Sequence, residues 1–283
     1  MFRKFRNALS RYTWDLAIGD YSETIIRTGI IPGNLHVVKN PYPSKWFADP
    51  FFLSVDDENC QLLVEEFDSD VKRGRIARLL VDRRDYTIKE CKIILELDTH
   101  LSFPVIYRVG NEIFVHPENS ASGKSYIYRY DMLQDKLVNP ILLVDEPLTD
   151  AIIRNEKGLY RLYATKITQN AGPLLYSYQS KSLLEPYNKS TDIDFGQRTA
   201  RMAGAFIENY DGIIRPAQDC RHDYGEGVIF YNGCTVISEL RPWGLYEGLH
   251  TFNTYQGLFV IDLKRYDYPR THKLLKRIKT MLR

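Results

Sequence analysis

The sequence predicts an all-β fold, a five-bladed β-propeller with short amphipathic helices at both termini. Three observations carry that expectation. The 283 residues include 20 Tyr and 13 Phe, side chains that favour strands over helices. Few windows outside the two ends sustain a helical period. Between the ends one unit recurs five times: a short apolar segment, a turn, a second apolar segment with aromatics, then a polar cluster. Strand pairs repeated at a fixed spacing are how propeller blades look in sequence.

Residues 1–34 form the first expected unit, a basic amphipathic segment. Phe2, Phe5, Leu9 and Tyr12 fall at helical spacing, with Arg3, Lys4, Arg6 and Arg11 between them. Leu35 to Val38 is expected to complete the last blade and close the ring, so the propeller is assigned to residues 35–263. The first copy of the unit runs from Phe47 to Leu53, turns at Asp56 to Asn59 and returns through Leu62 to Glu66. Leu101–Tyr107 with Ile113–Glu118, and Leu148–Ile153 with Leu159–Thr165, are the second and third copies. Arg201–Ile207 leads into Ile213, and Gly248–Asn253 leads into Leu258–Asp262. Aligning Asp49, Phe103, Asp150, Ala203 and His250 gives spacings of 54, 47, 53 and 47 residues. Third strands follow at 75–81, 125–130, 174–178 and 227–231. Residues 264–283 close the chain as a basic amphipathic helix, with Leu274, Leu275, Ile278, Met281 and Leu282 as its apolar stripe.

The formal charge of +2 argues against a general polyanion or nucleic-acid partner. It conceals an asymmetry. Residues 1–14 carry +4 and residues 264–283 carry +7, which leaves −9 for the body between them. Basic amphipathic ends suit an anionic membrane surface, or equally a packing role against the domain or a second subunit. No apolar run has signal-peptide or membrane-spanning length. A cytoplasmic protein is expected, peripheral on the inner face of the membrane if its ends bind lipid. Cys60, Cys91, Cys220 and Cys234 show no metal spacing and read as reduced structural thiols. The six His do not cluster, so neither a metal nor any other cofactor is expected.

Chemistry is concentrated in Arg215-Pro-Ala-Gln-Asp-Cys-Arg-His-Asp-Tyr-Gly225. Guanidinium, amide and carboxylate together suit a polyhydroxylated or anionic ligand; a polar strand end tying one sheet to the next is the plainer reading. In a propeller the innermost strands line the axis, so the aligned positions converge. Asp49, Glu118, Asp150 and Asp219 are the candidate catalytic carboxylates, with Glu66 a further converging acid. His116, Arg201, Arg215, Gln218, Tyr224, His250 and Thr251 are the candidate substrate-binding residues. Facing carboxylates suit glycosidic chemistry, one protonating the leaving oxygen and one acting as base or nucleophile. Two DxD sequences, Asp68-Ser-Asp70 and Asp192-Ile-Asp194, lie in turn-like segments and read as chance. Trp46 and Trp243 are candidate sugar platforms, though strand-adjacent Trp is more often packing.

Asp49-Pro50 at the start of the first repeat resembles the five-bladed, arabinanase-like glycoside hydrolases, which place a base Asp there. Those enzymes begin the second blade with an Asp and the third with an acid Glu, where this chain has Phe103 and Asp150. A closer resemblance rests on FADPFF (47–52), HPEN (116–119), ARMAGAF (200–206), RPAQDC (215–220) with Tyr224-Gly225, and GLHTFN (248–253). These motifs are similar, in the same order, to the N-terminal propeller-like domain of glucosamine inositolphosphorylceramide transferases and to related bacterial surface-polysaccharide proteins. The plant proteins' separate transferase domain has no counterpart in this sequence.

The resemblance implies sugar handling without naming a reaction. The leading expectation is an enzyme of surface-polysaccharide or glycolipid assembly, a glycosyltransferase using a sugar or nucleotide-sugar substrate at the cytosolic membrane face. The alternatives are a non-catalytic glycan-binding propeller that recruits a partner glycosyltransferase, and a cytosolic glycoside hydrolase.

Overall fold

The computed structural model describes residues 11–167, 172–210 and 212–268, with Thr271 and Leu274. It is a five-bladed β-propeller, each blade one antiparallel sheet. Blade one contains β3 (Lys45–Val55), β4 (Asn59–Asp68), β5 (Gly74–Asp82) and β6 (Ile88–Leu95) in sequential order. Blade two contains β7 (Ser102–Val109), β8 (Glu112–Glu118), β9 (Ser125–Asp131) and β10 (Lys136–Val144). Blade three comprises β11 (Leu148–Glu156), β12 (Leu159–Lys166) and β13 (Leu174–Ser180), with two short outer strands, β14 (Asn188–Lys189) and β15 (Ile193–Asp194). Blade four comprises β16 (Ile207–Asn209), β17 (Gly212–Gln218), β18 (Val228–Asn232) and β19 (Thr235–Leu240).

The fifth blade closes the ring from both ends of the chain. β22 (Leu258–Tyr266) pairs on one side with β20 (Tyr246–Gly248) and β21 (Phe252–Tyr255). On the other it pairs with β1 (Tyr12–Asp20) through nine residues, Tyr12 opposite Tyr266 to Asp20 opposite Leu258. β2 (Leu35–Val37) adds the outer strand. Leu35–Val37 therefore does complete the last blade, but the closing ladder belongs to β1, within the segment assigned to the basic N terminus. The propeller begins at Tyr12 and ends at Tyr266. The reason lies in residues 14–18, where Trp14, Leu16, Ala17 and Ile18 are all buried, two-sided burial that a central strand requires and a surface helix does not. Residues 1–10 and most of the basic C-terminal stretch lie outside the described residues; Thr271 and Leu274 are helical.

A short helix absent from the sequence expectation, α1 (Glu23–Thr28), links β1 to β2. The Ser22 side chain accepts the Thr24 N–H, Gly29 ends the helix in the left-handed region, and Ile25 and Ile26 are buried. Such capping is what makes so short a helix persist.

Side-chain alternation builds the core between blades. In β4, Leu62 and Val64 pack with Leu16, Ile18 and Val260 of blade five, while Leu63 packs with Val115 and Tyr128 of blade two. Every blade thus has two apolar faces, which is why the strands lack a clean polar alternation in sequence. The aligned repeat positions mark an interruption in each innermost strand. Asp49, Phe103 and Asp150 have φ of 52°, 45° and 48°, and the ladder register shifts beside each. In blade four the corresponding stretch holds Gly204 at φ 155°, where a Cβ would fall 2.2 Å from the Phe252 carbonyl oxygen. In blade five the break lies between β20 and β21, at His250. A bulge re-aims a side chain that would otherwise follow the pleat.

Ile261 of β22 is fully buried and Leu133 is 99% exposed. Ile261→Ala is expected to cost about 2–5 kcal/mol and Leu133→Ala less than about 0.5 kcal/mol, measured by denaturant unfolding of the two variants side by side.

Candidate active site

The bulges turn Asp49 and Asp150 into the axis, where both are nearly inaccessible to solvent. The Asp49 Oδ2 atom accepts the Phe103 N–H at 3.1 Å, tying blade one to blade two. Its Oδ1 lies 3.7 Å from His250 Nε2. Burial, then the neighbouring charges of Glu65, Asp262, Asp150 and Glu118, push the Asp49 carboxyl well above the usual carboxylate range.

Asp150 is held differently. Its Oδ2 accepts from Arg201 Nε and, at 2.8 Å, from Gln218 Nε2, while its own N–H donates to Glu118 Oε2 at 3.2 Å. Burial raises it to about 7; Arg201 opposes that shift and Glu118 adds to it. Arg201 also lies 3.5 Å from Glu118 Oε2 and sits over the Tyr224 ring at 5.2 Å. Burial disfavours the guanidinium charge, but Asp150, Tyr224 and Glu118 more than restore it.

Tyr224 spans the mouth. Its ring meets His250 edge-on at 5.4 Å, and the residue is 39% exposed. Burial nevertheless raises its phenol well above the usual range, with Arg201, Asp150 and Asp49 as electrostatic neighbours. The two facts fit one geometry, in which the outer ring face is open and the hydroxyl end is turned inward. Gly225, at φ 65°, lets the loop press so close that a Cβ there would lie 2.9 Å from His250 Cβ.

His250 is fixed by Trp14, stacked at 4.0 Å and 14°, and by Asp262, whose Oδ2 lies 2.6 Å from His250 Nδ1. Asp262 also accepts the backbone N–H groups of Asp49, His250 and Thr251 at 3.0, 2.9 and 3.0 Å. Burial would raise its pKa, but His250 and those donors hold it below the ordinary value. Asp49, His250 and Asp262 place one ligand atom each within 4.8 Å of the others. Two carboxylates and an imidazole in that arrangement form a donor set that fits a divalent cation. No spacing rule could have found it, because Asp49 lies 213 residues from Asp262 in sequence.

The structure thus brings together Asp49, Glu118, Asp150, Arg201, Gln218, Tyr224 and His250, with Thr251 contributing its backbone. Three candidates are placed elsewhere. Asp219 is buried at the top of blade four, where Arg221 donates to both its oxygens and Arg241 lies 2.6 Å from Oδ2. Burial opposes ionisation there, yet those donors hold it at about 2, so it is a charged clamp and not a proton carrier. Arg215 is three residues from Gln218 on β17 and so takes the opposite face; its Nη atoms donate to the Ala200 and Thr199 carbonyls at 3.0 and 3.2 Å. His116 contacts Ser125 Oγ at 2.7 Å inside blade two, and burial lowers it to about 4.

Glu66 is likewise turned away, paired with Lys45 and Arg75. Its neighbour Glu65 faces the axial side, as alternation dictates. Asp68 pairs with Lys45 and caps the Asp70 N–H, and Asp192 pairs with Lys189, so both DxD sequences are turn chemistry. Trp46 stacks on Phe67 at 4.7 Å and lines a 610 Å³ cleft with Tyr12 and Lys45. The residue that sequence reasoning missed is Asp262. A lone carboxylate inside the apolar run Leu258–Leu263 was its one signal, since burial there demands partners.

Comparison with known proteins agrees with the motifs. The family described as glucosamine inositolphosphorylceramide transferase 1, N-terminal, matches residues 31–240. The chain belongs to that family. Glucosamine inositolphosphorylceramide transferase 1 of Oryza sativa subsp. japonica is 28% identical over 197 residues, 67% of this chain and 26% of the rice protein. Its namesake in Arabidopsis thaliana is 30% identical over 196 residues, 66% of this chain and 25% of the plant protein. The match therefore spans about a quarter of these relatives. The family match takes in Asp49, Glu118, Asp150, Arg201 and Tyr224, while His250 and Asp262 lie beyond it. Among solved structures, the α-L-arabinofuranosidase of Podospora anserina in complex with cellotriose superposes with a TM-score of 0.58 at 9% identity, over 82% of this chain and 95% of that one. That likeness is one of fold.

An unfolded aspartate releases its proton near pH ~3.9, whereas folded Asp150 keeps it to about 7. Between those values the native state binds more protons than the unfolded one, so this group's contribution to stability falls as pH rises. Urea unfolding from pH 4 to 7.5 should show the decline, and Asp150→Asn should flatten it even though the variant is less stable overall. An unchanged slope would remove Asp150 as the titrating group.

Proposed function

We propose that this domain transfers a glycosyl group from an activated sugar to a polysaccharide or glycolipid acceptor, using the axial cluster. The observation that carries the reading is the pair Asp49 and Asp150. Both are buried and both are pushed above the ordinary carboxylate range, the condition under which a carboxyl exchanges protons near neutral pH. Asp49, the more strongly raised, donates a proton to the leaving oxygen. Asp150, close to half-ionised at neutral pH, accepts one from the acceptor hydroxyl. Arg201, fixed by Asp150 and Glu118, stabilises negative charge on the departing group. Tyr224 covers the site and offers its ring to a sugar face. Were a divalent cation held by Asp49, His250 and Asp262, Asp49 would be an ionised ligand and Lewis-acid charge would take the place of its proton at the leaving oxygen, with Asp150 still the base.

Family membership supports a glycolipid-related reaction, and the names of the plant relatives supply the transfer. Their remaining length is beyond this match, so the acceptor is part of the proposal. The cytosolic membrane face is proposed on charge alone: a body of −9 between basic ends of +4 and +7. A second reading, a sugar-binding module that recruits a partner transferase, is favoured by the engagement of Asp150 by both Arg201 and Gln218.

The test is transfer from a panel of nucleotide sugars to lipid and oligosaccharide acceptors, with thermal stability followed in parallel. Asp49→Asn and Asp150→Asn should each lower turnover by about 10²-fold or more while ligand-induced stabilisation survives. Asp219→Asn should alter stability and spare the rate per folded molecule. Stabilisation by sugars without turnover in any combination would establish the binding module instead.

A further inference from the structure

Arg215 is a buried cation in need of an anion. The residue is 4% exposed, and no carboxylate among the described residues lies within ion-pair distance of it. Its guanidinium carbon sits 4.1 Å from the Phe195 ring centroid and 4.7 Å from that of Tyr231. Two carbonyls accept from its Nη atoms, and its Nε–H has no partner. Ring faces offset part of the cost of burying a charge, but they do not neutralise it. Even the half-buried Arg of the axial and blade-top clusters have carboxylates: Arg201 has Asp150 and Arg221 has Asp219.

This cation lines a cleft of 340 Å³ between blades three and four. The β18–β19 turn and the start of β17 border it, which puts it at the end of the blades opposite the axial cluster. Leu175, Ile193 and Phe206 supply apolar walls. Arg154 stands at the rim, 5.6 Å over the Phe206 ring, with its charge met by Glu156 at 3.3 Å and its Nε unpartnered. The volume is of ligand size. The lining pairs one unneutralised charge with an apolar floor.

We propose that this cleft is a second binding site, for a singly charged oxyanion carried on an apolar body, with Arg215 as its charge partner. A carboxylate or a phosphodiester on an alkyl chain meets that description; a sugar does not, because the walls offer few hydrogen bonds. The site is independent of the axial chemistry, being on another face of β17. Arg215 is kept charged by its setting even though burial lowers it to about 10, so binding is insensitive to pH across the neutral range.

Cys234 lines the same cleft and is exposed, while Cys60 and Cys220 are buried. Its modification by N-ethylmaleimide, resolved by peptide mass spectrometry, reports occupancy. Decanoate and dibutyl phosphate are the probes, with decanol and inorganic phosphate as neutral and purely ionic controls. Saturable slowing of Cys234 modification by decanoate or dibutyl phosphate, absent with both controls and lost in Arg215→Met, is the expected result. Which of the two protects tells a carboxylate site from a phosphodiester site. Phe206→Ala, which leaves the cation in place, should weaken protection by about tenfold and serves if Arg215→Met does not fold. No protection by either probe, equal protection by decanol, or protection that persists in the Phe206→Ala and Arg215→Met proteins would overturn the assignment.

Discussion

The carboxylate of Asp262 is the point on which the axial architecture rests. It sits in β22, the strand that receives β1 and closes the ring, and it is fully buried. Its partners are the N–H of Asp49 in blade one, the N–H groups of His250 and Thr251, and the His250 ring. A buried charge without such partners would cost several kcal/mol; with them, it pins the first blade against the last. The same bonds hold Asp49 in its left-handed backbone and orient His250 beneath Trp14. Ring closure and site assembly are therefore one event: the ladder that joins the chain's two ends also delivers the ligand that positions Asp49.

The other blades are joined at the axis by the same kind of bond, a side chain of one blade reaching the backbone of the next. Phe103 N–H donates to Asp49 and Ile153 N–H to the Tyr107 hydroxyl, and Asn253 Nδ2 adds a second link from the last blade to the first at the Pro50 carbonyl. At Phe103 and Pro50 the bond meets a backbone group inside a bulge, so there satisfying the main chain and turning side chains inward have one cause. Phe103 shows the limit of the pattern. It occupies the repeat position of Asp49 and Asp150 with a similar backbone, yet packs edge-on against Phe51 at 5.2 Å and is fully buried. One of the three homologous inward positions was thus given to packing, and blade two supplies its axial charge from the end of β8 instead, through Glu118.

The mixture of acids at the axis sets the electrostatics. Asp49, Glu65, Glu118, Asp150 and Asp262 lie near one another, with Arg201 and His250 beside the aspartates and His100 3.2 Å from Glu65. Burial and the neighbouring acids together push Asp49 and Asp150 upward. Asp262, with its backbone donors, stays low; Asp49 rises; Asp150 stands between because Arg201 and Gln218 engage it.

The five-fold repeat, the all-β class and the convergence of Asp49, Asp150 and His250 were legible in the sequence, because period and turn chemistry are local properties repeated along the chain. The boundaries were less so: β1 contains Asp15 and Asp20 within an apolar strand and follows a basic segment, and its strand character comes from burial between β2 and β22. Single-residue choices were not legible at all. Whether Glu65 or Glu66, Gln218 or Arg215, faces the axis depends on strand register, and a shift of one residue exchanges the two faces. Asp219 reads in sequence as a catalytic acid; only the arrival of Arg221 and Arg241 from the surrounding loops makes it a clamp. Asp262 reads as an oddity in an apolar strand, and only closure of the ring brings it to Asp49. The sequence by itself determined the number of blades and the repeat positions, Asp49, Asp150 and His250, at which each innermost strand is interrupted. Tertiary structure decided which charges meet there, because those contacts join residues as far apart as 213 positions through a ring that must close before they exist.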